Sequence, residues 1–257
     1  MTAGERPVLS LIIPAHNEEH RLPATLERVR NFLHSQTFTS ELLVVENGSS
    51  DRTAEAADRF ARSNPATRVL REPRAGKGLA VRSGMLAARG DYRFICDADL
   101  SMPIEEVVRF LPPALTDFDI AIASRETPGA VRFGEPPYRH WIGRGFNTLV
   151  RLLAVPGFQD TQCGFKCFSA EAAQALFPIQ RLDGWTFDVE VLFLALKLGD
   201  RVSEVPIPWY YIRGSQVRLL RDSWQMFVDL FRIRSNWQRG VYSWPAGSKP
   251  SVPIREE

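Results

Sequence analysis

Lysine is scarce in this 257-residue chain: Lys77, Lys166, Lys197 and Lys249 are all there are, and arginine supplies the rest of its 32 basic side chains. A GC-rich genome alone would produce the same bias. Surplus charge is lacking too. Thirty acidic residues leave a formal net charge of +2, which excludes the bulk electrostatic attraction on which nucleic-acid binding rests. Cysteine is scarce: Cys96, Cys163 and Cys167 make no CxxC pair and are odd in number. That excludes a disulfide framework and points to reduced thiols in a cytosolic setting. Cys163 and Cys167 read as small buried hydrophobes. No apolar run approaches the roughly 20 residues of a spanning helix, and no signal peptide is visible, so the chain is expected not to cross a membrane. At 44% hydrophobic and 24% charged the composition is that of an ordinary globular protein, long enough for a sizeable core.

What is present is alternation. Residues 8–13 (Val-Leu-Ser-Leu-Ile-Ile) form the nearly continuous apolar run expected of a strand buried on both faces, and stop at Pro14-Ala15-His16-Asn17-Glu18-Glu19. Leu22, Leu26, Val29 and Leu33 recur at helical spacing over 22–34. Leu42-Leu43-Val44-Val45 reads as a second strand running into Glu46-Asn47-Gly48-Ser49-Ser50-Asp51, where Ser50 or Asp51 would cap a helix over 53–62. Val69-Leu70 leads to Arg74-Ala75-Gly76-Lys77-Gly78 and a helix to about Ala88. A fourth apolar run (Tyr92, Phe94, Ile95, Cys96) ends in Asp97-Ala98-Asp99-Leu100, and Met102-Pro103 opens a further helix. This succession predicts an α/β fold: a mostly parallel sheet with helices on both faces and its polar loops on one rim.

Asp97 and Asp99 lie two apart, so on a regular strand they would share a face. They fall at a strand's carboxyl end, where open α/β sheets bind ligands. Paired carboxylate oxygens there suit Mg²⁺ or Mn²⁺, which take one or two carboxylates plus substrate phosphates. A solvated acidic turn would carry the same residues, so the spacing alone leaves both readings open. His16 and His20 straddle a strand-to-helix turn and do not form a zinc pair.

Beyond residue 112 the rhythm changes. Phe118–Ala123 reads as a strand ending at Ser124-Arg125, residues 126–137 as a long Pro- and Gly-rich loop, and 138–154 as a helix. Asp160-Thr161-Gln162-Cys163-Gly164-Phe165-Lys166 follows, then a short helix near 169–176 and Gly184–Glu190 leading into an apolar helix to about Leu198. Within 216–239, Leu219, Leu220, Trp224, Phe227, Leu230, Phe231, Ile233 and Trp237 fall on one helical face, and Arg218, Arg221 and Arg232 on the other. An amphipathic helix lying in a membrane interface has this pattern, and so does one packed on a core. The tail over 240–257 reads as disordered.

Taken together, Pro14–Glu18, Glu46–Asp51, Gly76–Gly78, Asp97–Asp99, Ser124-Arg125, Asp160–Lys166 and Trp185–Glu190 resemble, in order and context, the inverting family-2 glycosyltransferases of GT-A (Rossmann-like) fold. Within them the set is similar to the dolichyl-phosphate (polyprenyl-phosphate) β-glucosyltransferases, with dolichyl-phosphate mannose synthases as near relatives. The resemblance covers about residues 8–235, and implies a catalytic domain over 1–215 followed by the interfacial helix. It places Pro14, Ala15, His16 and Glu18 around a nucleotide-sugar, Val44 and Glu46 at base and ribose, Lys77 beside the diphosphate, Ala98 in the same pocket, Asp97 toward the sugar or metal-bound water, and Asp99 directly on Mg²⁺ or Mn²⁺. Two departures stand out. The family usually has Asp-Asp where this chain has Glu46-Asn47, and the membrane-bound members carry a hydrophobic anchor that this sequence lacks.

The chemistry can be read beside the resemblance. A nucleotide-sugar's diphosphate gains charge as the glycosidic bond breaks, and a divalent cation neutralises it. A hydroxyl acceptor needs a general base, for which Asp160 is the candidate; a lipid phosphate is already anionic and needs positioning. Arg125 and Arg139 are the candidates for that, with Lys166 and Arg213 in reserve. The expectation is transfer of a hexose, glucose from UDP-glucose, to a polyprenyl phosphate by a peripheral protein at the cytoplasmic membrane face. A mannosyl or other hexosyl transferase using GDP- or UDP-sugars, transfer to a soluble hydroxyl, and a silent nucleotide-sugar-binding subunit stay open.

Overall fold

Strand β1 (Leu9–Ala15) pairs in parallel with β2 (Ser40–Asn47) on one side and β4 (Tyr92–Ile95) on the other, as the computed structural model, which describes residues 6–212 and 219–243, shows. Its side chains alternate between two cores. Leu9, Leu11 and Ile13 enter the cluster that also holds Leu26, Val29 and Phe60, while Ile12 enters the one that holds Ala80, Met85 and Leu192. Burial on both faces is why the run is apolar throughout. Helices α1 (Leu22–His34) and α2 (Thr53–Ser63) contribute to the first cluster; α3 (Lys77–Ala87), α5 (Ala170–Leu176) and α6 (Phe187–Leu198) contribute to the second. Arg52, not Ser50 or Asp51, holds the N-cap position of α2 and makes no side-chain cap; Asp51 Oδ1, one residue earlier, accepts the Thr53 N–H at 3.0 Å.

The full sheet runs β3-β2-β1-β4-β7-β5-β8, with β3 at Thr67–Glu72, β5 at Ile120–Ser124, β7 at Lys166–Ser169 and β8 at Val202–Pro206. Every pair is parallel except those of β7, which lies antiparallel between β4 and β5. The mostly parallel reading holds, and β7 is its exception. A separate ribbon pairs β6 (Val131–Phe133), inside the expected long loop, with β9 (Pro208–Tyr210). The helix expected after Met102-Pro103 is a 3₁₀ segment over Ile104–Phe110.

Helix α4 (Pro137–Leu153) buries only Val150, whereas α7 (Leu219–Gln238) is two-sided. Met226, Asp229, Leu230 and Ile233 of α7 are buried, and Leu230 and Ile233 join the second core. Trp224, Val228 and Phe231 face out. Trp237, of the same apolar face, packs edge-on to Phe193 at 5.8 Å. Residues 240–243 of the stretch expected to be a disordered tail are ordered here: Tyr242 is buried, its hydroxyl donating to Glu190 Oε1 at 2.7 Å. Residues 244–257 lie outside the described residues.

Candidate active site

The loops after β1 and β2 are laced to each other. Asn17, in the left-handed region at φ 53°, donates its N–H to Ser49 Oγ and accepts from the Ser50 N–H at 2.8 Å. Glu18 N donates to Thr53 Oγ1 at 2.7 Å, and Glu19 N to Asp51 Oδ2 at 3.1 Å. His16 Nδ1 donates to the Asn47 carbonyl at 2.8 Å, which leaves Nε2 to accept from Asn17 Nδ2. The polar motifs after the first two strands therefore hold their own rim together. Glu46 belongs to this lacing: Oε1 accepts the Ser49 N–H at 2.7 Å and Oε2 pairs with Arg71 at 3.2 Å. A base contact through its carboxylate is thus not the arrangement seen. Val44 is a clearer correction, fully buried in the core with Leu26 and Phe60. Ala15 and Ala98 are buried as well, so these three can reach a nucleotide only through main chain; Pro14 is half-buried at the rim.

Asp97 and Asp99 lie beyond β4, which ends at Ile95, so they sit on a turn rather than on a shared strand face. Leu100 takes φ 49°, and its N–H donates to the Asp97 carbonyl at 3.2 Å. Asp99 Oδ1 accepts the Ser101 N–H at 2.9 Å. Asp97 Oδ1 is paired with Lys77 Nζ at 2.7 Å. Burial pulls the Lys77 pKa down, but the carboxylates of Asp97 and Asp188 outweigh it and raise it, so Lys77 stays charged. Trp185 lies 5.4 Å from Lys77 Nζ. Gly78 makes this possible, because a Cβ there would strike the Leu182 and Gly184 carbonyls. Glu18, beside Arg21, has its pKa raised, chiefly by burial, with Asp99, Asp51 and Asp97 adding to the effect. Glu18 and Asp99 share a cleft of about 900 Å³ with Arg21, Arg28 and Tyr210.

Among the described residues no three acidic, histidine or cysteine side chains gather as a metal cage. Two turn carboxylates without a third protein ligand fit Mg²⁺ or Mn²⁺ held jointly with a substrate's phosphates. Asp99, which makes no ion pair among the described residues, suits that role better than Lys77-paired Asp97.

The other side of the rim is built by Arg125, at the end of β5. Its Nε and Nη2 donate to the two oxygens of Asp160 at 2.6 and 2.9 Å, and its N–H to Asp160 Oδ2. Burial opposes ionisation of Asp160, yet the Arg125 guanidinium and its hydrogen bonds hold the carboxyl down at about 2. In the structure Asp160 thus stands as the counter-ion of Arg125, with both carboxylate oxygens taken. Arg125 and Arg132 both stack near Trp209, at 5.6 and 5.7 Å, and Arg132 pairs with Glu126 and Glu135. Arg139, in the first turn of α4, lies 5.4 Å from Tyr211, and its buried Nε has no hydrogen-bond partner. Lys166 is a further correction. It is buried on Asp188 (2.7 Å) and the Cys163 carbonyl (2.5 Å), so it cannot meet an acceptor. Arg213 lies outside the described residues. The sequence reading missed Trp209 and Tyr211, whose only signal was an aromatic cluster after a strand, and Asp188, embedded in the Trp185–Glu190 stretch.

A seven-stranded sheet with β7 reversed, two carboxylates after the fourth strand and an arginine group across the rim define a nucleotide-sugar transferase of GT-A type. The profile of Glycosyl transferase family 2 matches residues 10–177, and the chain belongs to that family. It is a glycosyltransferase. The dolichyl-phosphate beta-glucosyltransferase of Drosophila melanogaster is 39% identical over 250 residues, which span 91% of this chain and 76% of that protein. The human protein of the same name is 32% identical, spanning 91% and 77%. In structure, the glucosyl-3-phosphoglycerate synthase of Mycobacterium tuberculosis bound to UDP superposes with a TM-score of 0.66, at 20% identity over 89% of this chain and 80% of that one. The same enzyme with Mn²⁺, UDP and phosphoglyceric acid gives 0.64 at 18% identity over 94% and 80%. These superpositions bear on the fold.

Proposed function

We propose that this protein transfers glucose, with inversion, from UDP-glucose to a polyprenyl (dolichyl-type) phosphate. The observation that carries the acceptor class is the Arg125–Asp160 pair: Asp160, the sequence's candidate base on that side, is bound at both oxygens by an arginine, and its neighbours Glu126 and Glu135 are paired with Arg132. A hydroxyl acceptor needs a base; a phosphate needs cations. Arg139 supplies a cation that makes no ion pair among the described residues, at the amino end of α4 where the helix dipole adds to it. The names of the relatives support glucose and the dolichyl acceptor, and the UDP-bound fold neighbours are in keeping with a uridine donor.

In this reading Glu18, His16 and the backbone of the laced loops line the nucleotide, Asp99 holds Mg²⁺ or Mn²⁺, and Lys77 stands beside Asp97 at the diphosphate. The cation, when bound, offsets the charge that develops on the leaving diphosphate. Arg125 and Arg139 orient the acceptor phosphate for attack from the far side of the sugar. The test is a screen of UDP- and GDP-sugars against a short polyprenyl phosphate with Mn²⁺. Transfer from UDP-glucose alone supports the reading, and a preference for GDP-mannose overturns the donor assignment.

We further infer that the enzyme works as a peripheral protein at the cytoplasmic membrane face. Among the described residues no helix is long and apolar enough to cross a bilayer. Trp141, Leu152 and Trp224 are nevertheless 71%, 74% and 68% exposed, on α4 and α7, which are joined by Arg234 Nη1 donating to the Leu153 carbonyl at 2.9 Å. Exposed apolar area on two adjoining helices marks an interaction surface. Arg144, Arg151, Arg221 and Arg232 on the same helices suit the anionic headgroups such a surface would meet.

A further inference from the structure

Lys166 is a cation in the interior, and its charge needs an explanation. Its side chain is 1% exposed, with Nζ held by Asp188 Oδ1 at 2.7 Å and by the Cys163 carbonyl at 2.5 Å. A buried ion pair costs desolvation that apolar residues of equal size avoid, so stability alone is a weak reason for one. The second bond suggests another. Cys163 lies in the middle of the loop Asp160–Lys166, and the loop touches both sides of the rim. At one end Asp160 grips Arg125. Next to Cys163, Gly164 lies so near Asp97 that a Cβ would collide with the carboxylate. Phe165 is fixed by edge-on packing against Phe94 at 4.5 Å and Phe110 at 5.5 Å. Asp188, which anchors Lys166, also acts electrostatically on Lys77, the partner of Asp97.

We infer that Lys166 is a positioning residue: by holding the Cys163 carbonyl it sets Gly164 against Asp97 and fixes the donor-side carboxylates relative to Arg125. The inference rests on the donor reading above, in which Asp97 and Asp99 face Mn²⁺ and UDP. Lys166 touches neither.

The experiment is calorimetric titration of Mn²⁺ with UDP into the wild type, Lys166→Met/Asp188→Asn and Gly164→Ala, each with its melting temperature. The double substitution removes both charges, so no buried ion is left alone. The expected result is a melting temperature near that of the wild type with Mn²⁺·UDP binding at least tenfold weaker, and the same pattern in Gly164→Ala. A folded double variant that binds like the wild type overturns the inference, since the pair is then only interior filling. Should the double variant not fold, Gly164→Ala decides: wild-type affinity in that variant overturns the inference equally. A wild type that binds no Mn²⁺·UDP strikes down the donor reading and this inference together, whereas wild-type binding with unaltered variants strikes down this inference alone.

Discussion

The donor and acceptor sides of the rim are assembled by opposite means. On the donor side, neighbouring parallel strands deliver successive loops whose polar residues bond mainly to each other, as in Asn17 with Ser49 and Ser50 or Glu46 with Ser49. Asp99 then stands on that frame with a single bond from the Ser101 N–H, while Asp97 is already tied to Lys77. On the acceptor side the arginines are part of the frame. Arg125 is locked to Asp160, 35 positions away, and Arg132 to Glu126 and Glu135, all around Trp209 from the far end of the domain. The difference teaches that one charged residue at this rim can be removed cleanly and another cannot.

The sharpest way to break that contrast is to substitute one residue on each side. Asp99→Asn should lower turnover by about 10²–10³-fold, the several kcal/mol of a lost charge-stabilising ligand, while its melting temperature stays near that of the wild type. Full turnover at limiting Mn²⁺ would remove the metal assignment. Arg125→Ala should lose transfer as well, but it leaves Asp160 buried and unpaired. A destabilisation of about 3–5 kcal/mol follows, on the order of 10 °C for a chain of this length, readable by calorimetry.

Arg139→Ala sharpens the comparison from within the acceptor side, because Arg139 has no carboxylate partner among the described residues to orphan. Its kcat/KM for the acceptor should fall by about 10–100-fold, as for a lost charge-assisted hydrogen bond, with melting temperature and UDP affinity unchanged. A smaller effect is expected from Trp224→Glu/Phe231→Glu. Both side chains are exposed, so the variant should stay folded but float with anionic vesicles several-fold less than the wild type. Aggregation in plain buffer would instead mean that the stripe is core.

The smallest effect is on pH dependence. The Asp160 pKa is about 2 in the folded protein against roughly 3.9 unfolded. A depressed carboxylate stabilises the fold above its unfolded pKa, so its contribution, about 2–3 kcal/mol, is constant from pH 5 upward and is lost as pH falls from about 4 to 2. Acid unfolding of Arg125→Ala should lack this component. Activity near neutrality should carry no limb from Asp160.

Legibility in the sequence follows the same division. Strands buried on both faces and loops that bond to their neighbours leave local, periodic traces, so β1 to β4, the first three helices and the Asp97–Asp99 turn could be placed from residues alone. Three-residue strands such as β6 and β9 leave no periodicity to read, and β7 gives no sign of its reversed direction because it begins inside the Asp160–Lys166 motif. Asp160, Lys166 and Val44 were found as residues of the motifs, but their roles depend on burial and on partners remote in the chain. The two readings of the last helix could not be separated for a similar reason: α7 gives one stripe to the core and another to the outside.

The central claim is that the acceptor nucleophile is a phosphate oxygen set by arginines rather than a hydroxyl freed by a base. It is tested most directly by offering labelled UDP-glucose and Mn²⁺ to the enzyme with a short polyprenyl phosphate, the corresponding polyprenol, or 3-phosphoglycerate. The account predicts a glucosylated product from the polyprenyl phosphate and none from the other two. Comparable transfer to the polyprenol or to the phosphoglycerate hydroxyl would contradict it.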